Sequence, residues 1–119
     1  MPRPLVESFR DAFRGIFHVF RTQRNARIHS AITLVVVGAG LWLQLGSLEW
    51  VILVLTISLV LAMEMVNTAL EALADATVTS YHPLIKVAKD VAAGAVLVTA
   101  MGAVAVGLLV FIPKLLGIQ

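Results

Sequence analysis

The sequence contains no cysteine, so it can form neither a disulfide framework nor a thiolate metal site. Charge is also scarce: 13% of the 119 residues are Lys, Arg, Asp or Glu, while 60% are hydrophobic. Nine basic and seven acidic side chains cannot supply the polar shell that a soluble domain of this size needs. Together with a mean hydropathy of +0.96, this composition excludes disorder and favours the lipid bilayer as solvent.

The usual nucleotide-binding loops are absent from the sequence. It has neither the G-x-x-x-x-G-K-[ST] phosphate loop nor the Gly-rich loop of soluble kinases. Any chemistry on nucleotides must therefore use a different arrangement of residues.

Three stretches are long and apolar enough to cross a membrane, since a hydrocarbon layer of about 30 Å needs about 20 helical residues. Residues 30–48 and 91–113 carry no charge, and residues 50–70 carry one, Glu64. The predicted fold class is an all-α integral membrane protein with one membrane-embedded domain over residues 1–119. Its predicted bounds are a surface helix over 4–22 and membrane spans over 28–46, 49–76 and 86–112.

The basic residues predict how these spans are oriented. Six arginines precede the first span, none lies between the first two, Lys86 and Lys89 lie before the third, and Lys114 follows it. Because basic loops stay in the cytoplasm, we predict a multi-pass protein of the cytoplasmic membrane with its N-terminus inside and its C-terminus outside.

The segment over residues 4–22 has the pattern of an amphipathic helix. Its large apolar side chains recur at three- and four-residue intervals. They are Leu5, Phe9, Phe13, Ile16, Phe17 and Phe20. The segment can lie on the cytoplasmic membrane surface among lipid headgroups, pack on the ends of the spans, or do both. Its phenylalanines favour membrane lipids over nucleic acid as partners.

Four polar residues fall on one face of the second span. At about 100° per residue, Glu64, Asn67, Glu71 and Asp75 occupy an arc of roughly 80°. If the hydrocarbon begins near Trp50, Glu64 lies about 9 Å below the cytoplasmic edge, with Glu71 and Asp75 at headgroup level. An ionisable residue at that depth predicts a functional site.

Two readings of this polar face remain open from the residues alone. Carboxylates near Lys89 and Asp90, which open the third span, suit Mg²⁺ bridging nucleotide phosphates, and the deeper Glu64 suits a general base acting on a hydroxyl at the membrane interface. The other reading is an interhelical polar network or an ion path in a small channel or transporter subunit.

The run EMVNTALEALAD, residues 64–75, resembles the signature of the prokaryotic diacylglycerol kinase family, a group of small integral-membrane lipid kinases. The resemblance continues through HPLIKVAKDVAAGAV, residues 82–96, and upstream at residues 24–25 and 14–16. It implies a homotrimer of three-span subunits, each preceded by a surface helix, with active sites shared between neighbours.

The resemblance also implies roles for individual residues in an ATP- and Mg²⁺-dependent kinase. Glu64 would be the catalytic base on the lipid hydroxyl, and Glu71 a metal ligand. The implied ATP-binding residues are Asn67, Asp75, Lys89, Asp90 and Arg14. A glutamate that the family uses as a second metal ligand falls on Gln23 here; its amide oxygen can still ligate Mg²⁺ but brings no charge.

Residues 24–29, 82–84 and 112–115 look more like the undecaprenol kinase branch of the family, so undecaprenol is the expected acceptor. The alternatives are a diacylglycerol kinase that makes phosphatidic acid and, from a different class, a small ion-conducting or scaffolding membrane protein without enzymatic activity. For His18, His29 and His82 we expect structural or headgroup contacts, because their spacing suits no metal site.

Overall fold

The computed structural model of the protein describes residues 3–118, which form four α-helices. These are α1 (Leu5–Thr22), α2 (Arg24–Trp42), α3 (Ser47–Thr77) and α4 (Pro83–Leu115). The all-α prediction is confirmed.

A single residue separates α1 from α2. Gln23 has an extended backbone (φ −107°, ψ 114°), which ends one helix and caps the start of the next. The last carbonyls of α1 need partners outside the helix, and Arg27 supplies one: its Nη1 donates to the carbonyls of Phe20 at 3.2 Å and Arg21 at 3.0 Å. This contact joins the last turn of the amphipathic α1 to the first turn of α2.

The turn between α2 and α3 closes within four residues. Gln44 adopts a left-handed conformation (φ 56°), and the N–H of Leu45 donates to the carbonyl of Gly40 at 3.1 Å, as in a Schellman motif. Gly46 then caps α3, with its N–H donating to Glu49 Oε1 at 3.0 Å. Leu43 and Leu45 are apolar, so the hydrophobic run in the sequence continues through the turn and does not mark the end of the helix. As a result, α2 ends four residues earlier than the predicted span over 28–46.

Helices α3 and α4 form the longest hairpin of the molecule and pack most extensively against each other. Their antiparallel register is tied at both ends: Lys114 Nζ lies 3.4 Å from Glu49 Oε1, and Lys89 Nζ donates to Asp75 Oδ1 at 2.9 Å. They contain 31 and 33 residues, against 28 and 27 in the predicted spans over 49–76 and 86–112. Of the described helices, these two are long and apolar enough to cross a membrane by length and composition.

Helix α2 does not reach the same hydropathy. It has 19 residues and begins with two charges, Arg24 and Arg27, so its uncharged part, residues 30–42, is only about 20 Å long. The structure therefore supports two of the three predicted spans by length and hydropathy.

One cluster of buried apolar residues lies where α2, α3 and α4 meet near the α2–α3 turn. It consists of Leu45, Leu53 and Val110, with Val36, Trp50, Val106 and Phe111 packed against them. The chain exposes 8703 Å², whereas a soluble monomer of its mass exposes roughly 6,300 Å². Most large apolar side chains of all four helices contribute to this excess, so the surface suits lipid or further protein copies rather than water.

Candidate active site

Glu64 is the buried end of the polar face of α3. Its side chain is 4% exposed. One turn further along, Thr68 is also buried, and its Oγ1 donates to the carbonyl of Glu64 at 2.9 Å. The Thr68 hydroxyl bonds to the backbone carbonyl rather than to the carboxylate of Glu64. The carboxylate can therefore contact another group.

That other group is a histidine of α2. Nδ1 of His29 lies 3.0 Å from Oε1 of Glu64, within reach of an ion pair or hydrogen bond. Both atoms are enclosed, and neither makes a hydrogen bond of good geometry within the described chain. The sequence pattern gives no prediction of this contact; the one available signal is that, on the predicted orientation, both residues fall on the cytoplasmic side of two consecutive spans.

Asn67 and Glu71 form the next layer of the polar face. Nδ2 of Asn67 donates to Oε1 of Glu71 at 3.1 Å. The amide oxygen Oδ1 of Asn67 is buried and has no hydrogen-bond partner among the described residues. A buried acceptor without a donor is costly, so this oxygen is available to a ligand beside the Glu71 carboxylate.

The outermost layer joins α3 to α4. Lys89 Nζ donates to Asp75 Oδ1 at 2.9 Å. The contact holds a cationic side chain of α4 against a carboxylate of α3, just before the uncharged stretch over residues 91–113.

Three predicted site residues make their described contacts with residues outside this polar face. Asp90 Oδ2 accepts from Lys86 Nζ at 2.7 Å on the exposed side of α4. Arg14 is 3.8 Å from Asp11 along α1, and Gln23 Nε2 donates to the neighbouring Thr22 hydroxyl at 3.4 Å. Among residues 3–118, no group of three or more His, Asp or Glu side chains is close enough to hold a metal ion.

A groove of about 560 Å³ lies between α3 and α4 beside Lys89. Its walls are mainly apolar and include Leu70, Leu73, Ala74, Ile85 and Ala88. A second groove, of about 690 Å³, runs along α1 between Arg10, Arg14 and Arg21. The first groove includes Lys89, the partner of Asp75, and the second presents cations on a separate helix.

Comparison with known proteins relates the chain to lipid kinases. The family model of prokaryotic diacylglycerol kinase matches residues 10–111. The chain is 47% identical over 116 residues to a diacylglycerol kinase of Synechocystis sp., covering 97% of this chain and 66% of that protein, so it spans about two thirds of that relative's length.

Two further relatives carry different names. The chain is 43% identical over 109 residues to the undecaprenol kinase of Bacillus subtilis, covering 92% of this chain and 89% of that enzyme. It is 29% identical over 93 residues to the diacylglycerol kinase of Escherichia coli strain K12, covering 78% and 76% respectively.

Proposed function

The chain belongs to the prokaryotic diacylglycerol kinase family of lipid kinases, and we propose that it transfers the γ-phosphoryl group of ATP to the hydroxyl of undecaprenol at the cytoplasmic membrane. One observation carries the proposal. A nearly inaccessible carboxylate, Glu64, lies on the same helix face as the Asn67–Glu71 pair and the Lys89–Asp75 cluster. An apolar lipid alcohol and a charged nucleotide can therefore bind next to each other along α3.

The proposed placement has α2, α3 and α4 crossing the bilayer, with the N-terminus in the cytoplasm and the C-terminus outside. Helix α2 is about 28 Å long, close to the hydrocarbon thickness, which suits a span whose Arg24 and Arg27 reach the headgroups. Helix α1 supports the same placement, because its Phe9, Phe13 and Phe17 side chains are exposed and can enter the interface.

The proposed assembly is a homotrimer with sites completed between neighbours. Its support is that the chain exposes more surface than a soluble monomer of its mass and that most of its large apolar side chains are exposed. A further support is that Arg14, Gln23 and Asp90 make their described contacts away from the polar face of α3. A neighbouring subunit would supply such residues to the site.

In the proposed reaction, Glu64 accepts the proton of the acceptor hydroxyl. The freed oxygen forms a bond to the γ-phosphorus, the bond from that phosphorus to the β–γ bridging oxygen breaks, and ADP leaves. Lys89, held by Asp75, lies where its charge can stabilise the phosphate oxygens. Burial of Glu64 keeps water from competing for the phosphoryl group.

The donor atoms on the polar face fit Mg²⁺ as the accompanying ion. Glu71 offers a carboxylate, and the unpartnered Oδ1 of Asn67 lies beside it; oxygen ligands of these types are what Mg²⁺ prefers. Gln23, at the position of the family's second metal ligand, is proposed to add its amide oxygen. Bound Mg²⁺ would supply charge neutralisation on the nucleotide phosphates.

The acceptor is tested by incubating purified protein with γ-labelled ATP and either undecaprenol or diacylglycerol in mixed micelles. We expect labelled undecaprenyl phosphate, in line with the undecaprenol kinase of B. subtilis. Diacylglycerol is the second candidate because the Synechocystis relative bears that name, and preferential formation of phosphatidic acid would select it.

The non-enzymatic alternative, a small ion-conducting or scaffolding protein, predicts no interaction with nucleotide. We expect Mg-ATP to raise the melting temperature of the purified protein, with Mg-AMP as the control. Properly folded protein that shows neither stabilisation nor labelled lipid would refute the kinase proposal.

A further inference from the structure

His29 and Glu64 form an enclosed polar contact between two helices. Nδ1 of the imidazole lies 3.0 Å from Oε1 of the carboxylate, whose side chain is 4% exposed. Each of the two atoms is enclosed and lacks a well-aligned hydrogen bond within the described chain. Placing two such groups in an apolar surrounding is costly unless they interact or await a ligand.

His29 Nδ1 and Glu64 Oε1 are close enough for a hydrogen bond, and only the hydrogen-bond angle departs from good geometry. Catalytic hydrogen bonds are often poorly aligned before substrate binds and tighten in the substrate complex. A hydrogen bond from Nδ1–H to Oε1 would fix the plane of the carboxylate and leave its second oxygen for the acceptor hydroxyl. The histidine thus has the geometry to orient a base rather than to replace it.

The other histidines have different surroundings. His82 Nδ1 accepts from the N–H of Leu84 at 3.2 Å and caps α4, and His18 lies along the groove on α1. The contact with a carboxylate therefore distinguishes His29, and it is made between α2 and α3 rather than within one helix.

We propose that His29 is a positioning residue for the acceptor-activating base, holding Oε1 of Glu64 so that the other carboxylate oxygen faces the lipid hydroxyl. This inference rests on the proposed kinase function. It extends the site from α3 to α2 and assigns the chemistry at the buried end of the polar face to a histidine–glutamate pair. Binding of ATP, which we place at the Lys89 end, does not depend on it.

The kinetic test compares His29→Leu and His29→Asn with the wild-type protein. Leucine keeps much of the volume but has no donor, and misorientation of a reacting group lowers kcat by about 100-fold. Asparagine places an amide N–H near the position of Nδ1–H and should restore most of this loss. In both variants the KM for ATP should stay unchanged. His18→Leu, which removes a histidine on α1, is the matched control and should retain wild-type kcat.

Two comparisons separate positioning from a general structural role. In a Glu64→Gln background, adding His29→Leu should lower the residual rate no further, because the group that His29 orients is already gone. A kcat for His29→Leu within about twofold of wild type, or an additive loss in the double variant, overturns the proposal.

A spectroscopic test does not require turnover and so remains decisive if neither lipid is phosphorylated. In protein labelled with ¹⁵N-histidine, Glu64→Gln should shift the imidazole resonances of His29 and leave those of His18 and His82 in place. Unchanged His29 resonances overturn the inferred contact, whereas shifted resonances in a protein inactive on both lipids overturn the kinase proposal alone.

Discussion

Gly40 of α2 lies directly against the indole ring of Trp50 of α3. A Cβ at position 40 would be 2.8 Å from Cη2 of that ring and 3.0 Å from Cδ1 of Leu45, so no larger residue fits without a shift. The missing side chain lets the two helices approach beside the turn that joins them. The same two helices meet again further along, where His29 Nδ1 lies 3.0 Å from Glu64 Oε1.

Gly40→Ala should therefore destabilise the protein. Overpacking of a rigid aromatic contact costs about 1–3 kcal/mol, and a lower melting temperature in detergent micelles would report it. Gly38→Ala is the matched control, because a Cβ there has nothing within 4 Å; removing a helical glycine should be neutral or stabilising by up to about 1 kcal/mol. Equal stability of the two variants would contradict the packing argument.

Glu64→Gln should lower turnover by orders of magnitude while preserving the fold. The amide keeps the size of the side chain but cannot accept the hydroxyl proton, and loss of a general base lowers the rate by about 10²- to 10⁴-fold. The measurement is the rate of lipid phosphorylation, with Mg-ATP-dependent thermal stabilisation as the check that nucleotide still binds. Glu7→Gln on α1 is the control. Near-normal turnover of Glu64→Gln would refute the assignment of the base.

Gln23→Glu should leave activity intact or lower the Mg²⁺ concentration needed for half-maximal rate. The added carboxylate offers a charged ligand at the junction of α1 and α2, where the present amide offers a neutral one. Gln44→Glu, at the opposite end of α2, makes the same chemical change away from the proposed site. A strong loss of activity confined to Gln23→Glu would show that the neutral side chain is required.

Glu49 predicts a contribution to stability that depends on pH. Its carboxylate accepts a hydrogen bond from the Gly46 N–H at 3.0 Å and lies 3.4 Å from Lys114 Nζ. Both contacts favour the ionised carboxylate, so their contribution is present while Glu49 is charged and is lost as acid protonates it.

Melting temperatures measured from about pH 6 to about pH 3 in detergent would test this contribution. Glu49→Gln retains an acceptor for the Gly46 N–H but cannot titrate, so its melting temperature should fall less steeply with acid than that of the wild type. Identical slopes for the two proteins would show that the carboxylate at the start of α3 does not contribute in this way.

Local sequence determined the helices and one face of the site. The 3.6-residue period requires no information from distant residues, so the apolar spacing of α1 and the alignment of Glu64, Asn67 and Glu71 on α3 follow from the order of residues alone. The Asn67–Glu71 hydrogen bond joins positions i and i+4 of one helix, so it too follows from local sequence. The roles assigned to these residues remain predictions.

Tertiary structure decided which residues of the other helices contact the polar face of α3. The His29–Glu64 and Lys89–Asp75 contacts depend on how α2 and α4 lie against α3, and that register depends on close approach and turn geometry, which a one-dimensional pattern does not encode. The end of α2 is a further case: an apolar run continues through the turn, and the left-handed Gln44 stops the helix there. The periodicity of the sequence specifies which residues share a face of a helix, whereas the packing of the helices specifies which residues that face contacts.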